Sequence, residues 1–317
     1  MGKYVFGPVP SRRLGMSLGV NNIPAKHCTY SCVYCQLGRT MRLGVERREF
    51  YPPDEVANEV IESVRNLSSP IDYVTFVPDG EPTLDVNLGN IVEKIKEEIE
   101  VPVAVLTNAS LIFRDDVRSD LSLFDLVSLK VDSALPEVWS AVNRPHPRLS
   151  LDEVLEGIMA FARSYRGILI TETMLVSGLN TSEHSIRETA KFISRVNPFK
   201  AYISIPIRPP AEAWVNLPSE DLIVSAYSLF AEALGLGKVE LLSAFEGPEF
   251  TFISDPIKDF LAIVSVHPMR LDYAYKFFER AGLNPNEVLE DLVRKGSVVK
   301  VSYGGRIFIM RKFSRPR

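Results

Sequence analysis

All three cysteines of this 317-residue chain lie within a span of eight residues, as Cys28, Cys32 and Cys35. Cysteines that only fill a core would be scattered along the sequence, so this clustering predicts a loop that presents sulfur ligands to a metal. The spacing C-x3-C-x2-C supplies three ligands, whereas a closed structural zinc site uses four. We therefore expect a metal centre that keeps one coordination position open.

The composition is that of a folded chain without membrane segments. Hydrophobic residues make up 46% of the sequence and the mean hydropathy is +0.04, which suits a substantial core. No apolar stretch is long enough to cross a bilayer, and the N-terminal segment lacks the apolar region of a secretory signal. Because an odd number of cysteines also argues against a disulfide framework, we expect a cytoplasmic protein.

The charge is divided unevenly along the chain. Residues 255–317 hold 12 Lys and Arg against 7 Asp and Glu, whereas residues 1–254 hold 24 against 33. From Arg294 onward there are eight basic residues and no acidic ones. We therefore expect a body at 1–254 and a basic module at 255–317. Such a module is suited to contact with nucleic acid, but its charge could equally serve solvation alone.

Apolar runs rich in Val, Ile and Leu alternate with amphipathic stretches through the body. Such runs are typical of strands buried on both faces, in a parallel sheet covered by helices. The predicted strands are residues 13–20, 73–78, 103–107, 126–131, 168–175, 201–207 and 239–244, and the predicted helices are residues 53–66, 88–99, 151–164, 182–196 and 219–234. Ser150 and Ser219 are predicted N-caps. This α/β pattern fits an open doubly wound sheet or a partial barrel.

The basic module has a different pattern. Residues 259–266, 271–281 and 286–295 are predicted helices, and residues 298–303 and 306–311 are predicted strands. Gly304 and Gly305 lie between these two strands and indicate a tight hairpin. Three helices followed by a hairpin are typical of a winged helix. The alternative is a cap that only packs against the body.

Two motifs around and after the cysteines indicate a family. Tyr34 directly precedes Cys35, and the sequence Asp-Gly-Glu-Pro-Thr at residues 79–83 ends the second predicted strand. In this order the motifs resemble the radical S-adenosylmethionine (radical SAM) superfamily. The resemblance implies a partial (β/α)6 parallel barrel and a 4Fe–4S cluster with three irons held by the cysteines. It also implies S-adenosylmethionine (SAM) on the fourth iron, an external one-electron donor, and a 5′-deoxyadenosyl radical that abstracts hydrogen from a substrate.

A zinc site is the alternative interpretation of the same cysteines. His27 could complete a Cys3His set with the three thiolates. However, His27 is adjacent to Cys28 with no intervening residue, which makes an awkward chelate. The downstream motifs favour the iron–sulfur interpretation.

Residues 79–83 resemble the Gly-Gly-Glu element of the superfamily, with Asp79 in place of the first glycine. In the family this element offers acceptors to the ammonium group of SAM, with the glycine allowing close backbone approach and the glutamate supplying charge. Without the cysteine loop upstream, the same residues would be an ordinary turn after a strand.

Polar residues on later strands extend the expected site. Asn108 follows the third strand, where relatives place a polar side chain near the cofactor, although Asn is also common in turns. Ser128, Lys130 and Asp132 alternate along the fourth strand and therefore share one face. In the glycyl-radical-activating relatives an acid precedes a lysine here, whereas this chain has the reverse order. The alternative is an internal ion pair between Lys130 and Asp132.

Two further residues are assigned from the last strands. Met174 would line the adenine pocket if it faces inward together with Glu172, or would be a core residue. Arg208 could bind a carboxylate or phosphate, or could anchor the loop that follows it. No catalytic residue can be assigned. The complete set assigned to the cofactor is Tyr34, Gly80, Glu81, Pro82, Thr83, Asn108, Ser128, Lys130, Asp132, Met174 and Arg208.

A narrower resemblance concerns the substrate. Residues 6–15, Gln36 and residues 208–212 resemble an Fe–S oxidoreductase group related to the wyosine-forming tRNA enzymes. The archaeal wyosine enzymes carry additional cysteines for a second cluster, which this chain lacks, so their activity is not transferred. Modification of RNA, with tRNA as the expected class, is the first hypothesis. A peptide or metabolite substrate is the second, and a non-enzymatic Fe–S or zinc regulator with a DNA-binding winged helix is the third.

Overall fold

A mostly parallel sheet of eight strands forms the centre of the fold. The computed structural model describes residues 3–242, 247–252 and 255–312. The strands of the body are β1 (Val5–Ser11), β2 (Gly15–Val20), β3 (His27–Cys28), β4 (Arg42–Leu43), β5 (Tyr73–Phe76), β6 (Val103–Thr107), β7 (Leu126–Lys130), β8 (Ile168–Met174), β9 (Lys200–Ser204) and β10 (Val239–Leu242). The sheet order is β1-β2-β5-β6-β7-β8-β9-β10, and every pair is parallel except the β1–β2 hairpin.

The helices of the body cover one face of this sheet. They are α1 (Pro53–Arg65), α2 (Leu88–Glu98), α3 (Asp115–Leu121), α4 (Pro136–Asn143), α5 (Leu151–Ser164), α6 (Glu183–Val196) and α7 (Glu220–Leu234). All but α4 contribute to one apolar core with strand residues such as Val105, Val127 and Ile203. Successive strand residues point to opposite faces, so the second face carries a different set of side chains, including Lys130 and Glu172.

The tip of the β1–β2 hairpin covers part of this second face. Leu14, between the two strands, is buried against Leu126, Ile170 and Tyr202. Leu126 begins β7, so this apolar contact lies toward the N-terminal ends of the parallel strands. The polar residues of the same face are thus left toward the C-terminal ends, where sequence analysis expects the site.

The predicted α/β class with a parallel sheet is confirmed. In the main sheet, β2 and β5–β10 form seven parallel strands. The closure of this sheet into a partial barrel remains a prediction. The strands β1, β3 and β4 and the helices α3 and α4 were not predicted, and residues 243–244 of the last predicted strand lie outside the described residues. Ser219 caps α7 by accepting a hydrogen bond from Leu222 N, whereas the side chain of Ser150 makes no capping hydrogen bond, contrary to expectation.

The C-terminal module has its own sheet and core. It consists of α8 (Pro256–Val266), β11 (Met269–Arg270), α9 (Leu271–Arg280), α10 (Pro285–Arg294), β12 (Val298–Tyr303) and β13 (Arg306–Arg311). The sheet is antiparallel in the order β11-β13-β12. The predicted helices and hairpin are present, and β11 was not predicted. Phe260, Phe277 and Phe278 share their core with Phe6 and Val9 of β1, so the module packs directly on the body.

The predicted division at residue 254 adjoins residues 253–254, which lie outside the described residues. In the described parts of the chain, none of the helices combines the length and apolar content that a membrane crossing requires.

Candidate active site

The cysteine loop is held in place by backbone hydrogen bonds from three directions. Ser31 N and Val33 N donate to the carbonyl groups of Asn143 and Val142 at the end of α4, at 3.0 Å each. Glu81 N donates to the carbonyl of His27 at 3.1 Å, which joins the loop to the segment after β5. β4 pairs with β3 on a further side. The three sulfur atoms are therefore carried by a fixed backbone rather than by a free loop.

The three cysteines are half-buried and carry free thiols. Asn108 Nδ2 donates to Cys28 Sγ at 3.5 Å, and Asn143 Nδ2 donates to Cys32 Sγ at 3.4 Å. Burial, together with the charge of neighbouring acids and cysteines, raises the pKa of the Cys28 thiol well above its ordinary value and that of Cys32 to about 12. Burial also raises the pKa of Cys35. Thiols that resist ionisation together become thiolates when a metal supplies positive charge.

This donor set fits an iron–sulfur cluster. Three thiolates are the soft ligands that such clusters take, and amide donors to sulfur are among the contacts that tune a cluster. The zinc alternative receives no support from His27, whose ring nitrogens lie 3.2 Å from the Pro24 carbonyl and 3.2 Å from an Arg48 guanidinium nitrogen. Within residues 3–242, 247–252 and 255–312, no group of three or more Cys, His, Asp or Glu side chains converges as a ready metal site.

Gly80 and Glu81 support the cysteine loop. A Cβ atom at Gly80 would overlap the carbonyl oxygen of His27, so this position tolerates only glycine. The buried Glu81 carboxylate accepts hydrogen bonds from Thr83 N at 3.1 Å, Thr83 Oγ1 at 2.6 Å, Thr107 Oγ1 at 2.5 Å and Asn108 N at 2.8 Å. Sequence analysis expected the glycine to admit the cofactor and the glutamate to supply it with charge. In the structure both are engaged with protein.

The carboxylate of Asp79 accepts fewer hydrogen bonds than that of Glu81. It is buried, and its Oδ1 atom has no hydrogen-bond partner. Its carbonyl accepts from Lys26 N at 2.8 Å, which places the residue beside the cysteine loop. Burial raises the pKa of Asp79 to about 7, although the nearby Lys26 opposes the shift. Pro82 and Thr83, the other predicted residues here, lie in a buried 3-10 turn at Pro82–Leu84.

A second network joins the cysteine loop to the end of β7. The Tyr34 hydroxyl and Asn143 Nδ2 both donate to Asp132 Oδ2, the latter at 2.6 Å, and Met174 N donates to Asp132 Oδ1 at 2.8 Å. The Met174 side chain packs in a small apolar cluster with Val33 and Tyr34. The structure therefore brings Tyr34, Asp132 and Met174 together beside Cys32, as predicted for one site.

Lys130 belongs to a charged group on the same face and also lies over the Tyr34 ring, 5.0 Å from its centroid. Its Nζ atom lies 2.9 Å from Glu172 Oε1, and Glu172 also pairs with Arg13 from the β1–β2 hairpin and accepts from Ser204 Oγ at 2.8 Å. Lys130 thus binds Glu172, and the Lys130–Asp132 pair that sequence analysis offered as an alternative is not the contact made. Ser128 is buried on this face between its register partners Leu106 and Ile170, in the apolar layer.

Arg208 connects the cysteine loop to the C-terminal module. It is buried, with Nη1 3.3 Å from Gln36 Oε1 and Nη2 2.9 Å from His267 Nε2. Gln36 Nε2 also donates to the Val266 carbonyl at 2.8 Å. Burial, with the charges of Arg12 and Arg13, lowers the pKa of Arg208 to about 9. These contacts agree with the anchoring interpretation of Arg208.

Sequence analysis missed several residues of the site. Asn143 contacts both Cys32 and Asp132, but it ends a short helix that was not predicted. Arg13 lies in a turn, and nothing in the sequence indicates that the turn folds over the sheet. Lys26, next to His27, is buried beside the thiols, and burial lowers its pKa while Cys35 opposes this. The sequence did offer a signal for Lys26, because it is a basic residue only two positions before Cys28, the first cysteine.

Comparison with protein families and curated proteins gives a consistent result. A family model described as the Radical SAM superfamily matches residues 22–193. UPF0026 protein MJ1312 of Methanocaldococcus jannaschii is 47% identical over 307 residues, covering 96% of this chain and 95% of that protein. A UPF0026 protein of Helicobacter pylori strain 26695 is 33% identical over 275 residues, covering 85% of this chain and 86% of that protein.

Solved structures share the fold. A radical SAM methyltransferase from Sphaerobacter thermophilus matches with a TM-score of 0.52 and 15% identity, covering 72% of this chain and 67% of that chain. SuiB of Streptococcus suis, bound to its precursor peptide SuiA, matches with a TM-score of 0.53 and 15% identity, covering 71% and 48%. At this identity the likeness concerns the fold alone.

Proposed function

This chain belongs to the radical SAM superfamily, and from that premise we propose that it abstracts hydrogen from an RNA substrate at the C-terminal edge of its sheet. As a member of the superfamily it is an enzyme that uses a 4Fe–4S cluster and SAM. When bound, these cofactors supply an oxidising carbon radical by reductive cleavage of SAM. The observation that carries the proposal is that one fixed loop presents Cys28, Cys32 and Cys35, and that Asn108 and Asn143 from neighbouring elements donate hydrogen bonds to two of their sulfur atoms.

The roles that we propose for the site residues follow from their contacts. The three cysteines hold the cluster, and Asn108 and Asn143 donate to two of the sulfur atoms. Residues 79–83 hold the cysteine loop through Gly80 and Glu81 and offer acceptors to the amino group of SAM. Tyr34, Asp132 and Met174 border the space beside Cys32. Lys130, over the Tyr34 ring, and Arg208, in contact with Gln36, adjoin the cysteine loop, whereas Ser128 lies in the apolar layer of the same face.

We propose that the sheet is the wall of a partial barrel. The body helices that share the main core lie on a single face, whereas a doubly wound sheet carries helices on both. The other face holds the charged group around Glu172, which suits the interior of a barrel more than a solvent-exposed surface. We also propose that residues 255–317 form a winged helix. Their order of helix, strand, helix, helix, strand, strand is the support for this assignment.

The RNA part of the proposal rests on where the hairpin of this module lies. The Tyr303 hydroxyl at the hairpin donates to the Pro206 carbonyl, just after β9, at 2.7 Å. The hairpin is therefore at the C-terminal edge of the main sheet, near the site. Lys300 and Lys312 are exposed on it and available to phosphate groups. The relation to the wyosine-forming tRNA enzymes remains a prediction. We also propose that the protein is cytoplasmic.

A peptide or metabolite substrate is the second candidate, because one surface of the module is acidic. α10, the third helix of the module and the one that enters the groove in many winged helices, carries Glu287, Glu290 and Asp291. Asp291 forms ion pairs with both Arg294 and Lys295, which reduces their positive charge. This helix is unsuited to a phosphate backbone, so contact with RNA depends on the hairpin alone.

The chemistry is tested with anaerobically reconstituted protein, SAM and dithionite, by measuring 5′-deoxyadenosine. The wild-type protein should release it, and Cys32→Ala should lose both the cluster absorbance and the release while keeping its circular dichroism spectrum. Ser164→Ala, on the exposed end of α5, is the control and should behave as the wild type. Full release from Cys32→Ala would refute the assignment of that ligand.

The substrate class is tested by binding of total tRNA. Affinity should fall steeply as salt is raised, and Lys300→Glu should weaken binding about threefold to tenfold. Lys191→Glu, on the exposed surface of α6, should have no such effect. Equal loss in both variants, or no binding at low salt, would favour the peptide or metabolite candidate.

A further inference from the structure

A tryptophan is exposed on the loop that follows β9. We call residues 212–217 the tryptophan loop. Trp214 is 49% exposed, whereas Trp139, the other tryptophan of the chain, is only 6% exposed. Leu217 on the same loop is also exposed. Tryptophan is enriched at surfaces that bind other molecules, because its ring offers a large and rigid contact area.

The tryptophan loop has a fixed backbone. Glu212 N donates to the Val33 carbonyl at 3.1 Å, and Val215 N donates to the Glu212 carbonyl at 3.0 Å. The Val215 side chain is buried in an apolar cluster that includes Val33. Asn216 Nδ2 donates to the Trp214 carbonyl at 3.0 Å. The exposed ring of Trp214 is therefore carried by anchored neighbours, on a loop that is attached directly to the cysteine loop.

Two arginines adjoin this ring. Arg39 Nη2 lies 2.7 Å from Glu212 Oε2, and Arg144 Nη1 lies 2.5 Å from Glu212 Oε1. Glu212 is two residues before Trp214, so their Cα atoms are no more than about 7 Å apart. The two arginine side chains are 71% and 41% exposed, whereas that of Glu212 is 6% exposed. One surface therefore presents an indole ring and two guanidinium groups, which Glu212 holds close to each other.

The charge of this surface is positive. Two guanidinium groups share the single carboxylate of Glu212, which is the only acidic residue within residues 205–219. The next acids along the chain, Glu220 and Asp221, belong to the first turn of α7, where negative charge is balanced by the helix N-terminus. A negatively charged ligand is therefore favoured beside Trp214.

The tryptophan loop also lies beside the hairpin of the C-terminal module. Within that module, contact with RNA is confined to the hairpin. The Tyr303 hydroxyl donates to the Pro206 carbonyl in the segment that leads into the tryptophan loop. A Cβ atom at Gly304 would lie 4.0 Å from Leu217 Cδ1, so the tip of the hairpin is close to the far end of this loop. An RNA strand on the hairpin therefore reaches Trp214 along the same edge of the sheet.

We propose that Trp214 stacks against an unpaired base of the RNA substrate, while Arg39 and Arg144 contact the neighbouring phosphate groups. This inference rests on the proposed function, and it identifies single-stranded RNA, or an unpaired loop of a folded RNA, as the form that binds. A base can stack on an aromatic side chain whatever its identity, and basic groups beside the ring follow the backbone. Only unstacked bases, as in loops, bulges and ends, are free to reach such a ring.

The experiment uses reconstituted protein and two labelled probes, a short oligouridylate and an oligomer of the same length that lacks the bases. Affinity is measured by fluorescence anisotropy of the label. Trp214→Ala should weaken binding of oligouridylate about fivefold to one hundredfold and leave binding of the abasic oligomer unchanged, because only the first probe loses a stacked base. Trp214→Phe keeps an aromatic ring and should retain most of the affinity. Phe199→Ala, which removes a 65% exposed ring just before β9 at the opposite edge of the sheet, is the matched control.

Tryptophan emission gives a readout that a purely structural role of Trp214 would not change. Oligouridylate should quench the emission of the wild-type protein but not that of Trp214→Phe, whose remaining Trp139 is buried. Arg39→Gln should lower the slope of log affinity against log salt by about 0.7, the value for one phosphate contact of a single strand.

The outcomes separate this inference from the proposed function. If neither oligouridylate nor total tRNA binds the wild-type protein at low salt, the RNA part of the proposed function fails and the stacking inference fails with it. If both bind and Lys300→Glu weakens binding, but Trp214→Ala behaves as Phe199→Ala does, only the stacking inference is overturned. Equal quenching by the abasic oligomer would also overturn it. Quenching by an acidic peptide such as oligoglutamate, without binding of RNA, would overturn it in favour of a peptide substrate.

Discussion

Replacement of Glu81 by alanine should destabilise the whole protein, and not only weaken cofactor binding. The Glu81 carboxylate is buried and accepts hydrogen bonds from residues on two different segments, Thr83 after β5 and both Thr107 and Asn108 at the end of β6. Hydroxyl groups can rotate toward other acceptors, but the two backbone donors, Thr83 N and Asn108 N, cannot. Removal of the carboxylate leaves both of them buried without a partner.

The size of the effect follows from these two donors. An unpaired buried donor costs about 1–3 kcal/mol, which gives about 2–6 kcal/mol for two. Burial raises the pKa of Glu81, because the charged carboxylate is less well solvated in the folded protein than in water. Replacement by alanine removes this desolvation cost and offsets part of the loss. We therefore expect a loss of about 3 kcal/mol. This is a large share of the 5–15 kcal/mol that is usual for a folded protein.

Urea unfolding of the cluster-free protein at pH 7, followed by circular dichroism, measures this loss. Glu81→Gln keeps one acceptor oxygen and should lose about half as much, because its amide group then faces the Asn108 N–H. Glu156→Ala, exposed on α5, is the control and should change the free energy of unfolding by less than about 0.5 kcal/mol. A loss below about 1 kcal/mol for Glu81→Ala would show that these hydrogen bonds do not support the fold.

Three other substitutions test the neighbouring groups. Asp79→Asn should stabilise the protein at pH 8 but not at pH 4. In the folded state the pKa of Asp79 is raised from 3.8 to about 7, so the free energy of unfolding of the wild type falls by on the order of 4 kcal/mol as the pH rises between these two values. Equal effects of the substitution on urea unfolding at both pH values would contradict this. Gly80→Ala should displace the cysteine loop from His27 and reduce iron incorporation at least severalfold in an iron assay, so normal loading would be evidence against the close contact. Glu172→Ala should lower the free energy of unfolding by about 3–5 kcal/mol, because Arg13 and Lys130 lose their shared carboxylate, and a loss no greater than that of Lys191→Ala would contradict this.

The features that sequence analysis predicted well are those set by short-range patterns. The βα alternation follows from apolar runs between amphipathic stretches, and the hairpin at Gly304 and Gly305 follows from two glycines between apolar strands. Asn108 and Asp132, which follow β6 and β7, were predicted at the same edge because parallel strands end at one edge of a sheet, and there they lie beside Cys28 and Cys32 respectively. In each case the sequence near the residue determines where it lies.

The features that were missed depend on contacts between distant segments. Arg13 meets Glu172 only because the β1–β2 hairpin folds over the second face of the sheet. Asn143 reaches Cys32 and Asp132 from a helix of eight residues, too short for a clear periodicity. The close contact between Gly80 and the His27 carbonyl was not predicted, because the sequence shows the glycine but not the carbonyl that opposes it, and the assignment of Gly80 to the cofactor stays a prediction.

The contacts of Gln36 suggest how the two parts of the chain act together. Gln36 follows Cys35 directly, donates to the Val266 carbonyl at the end of α8, and lies 3.3 Å from Arg208, which in turn contacts His267. Burial and the adjacent Arg208 hold the pKa of His267 well below its ordinary value, so the imidazole is neutral and accepts from the guanidinium. A displacement of the C-terminal module would therefore act directly on the residue next to a cluster ligand. Since the hairpin of the module also contacts the loop after β9, the module is joined both to the cysteine loop and to the C-terminal edge of the main sheet.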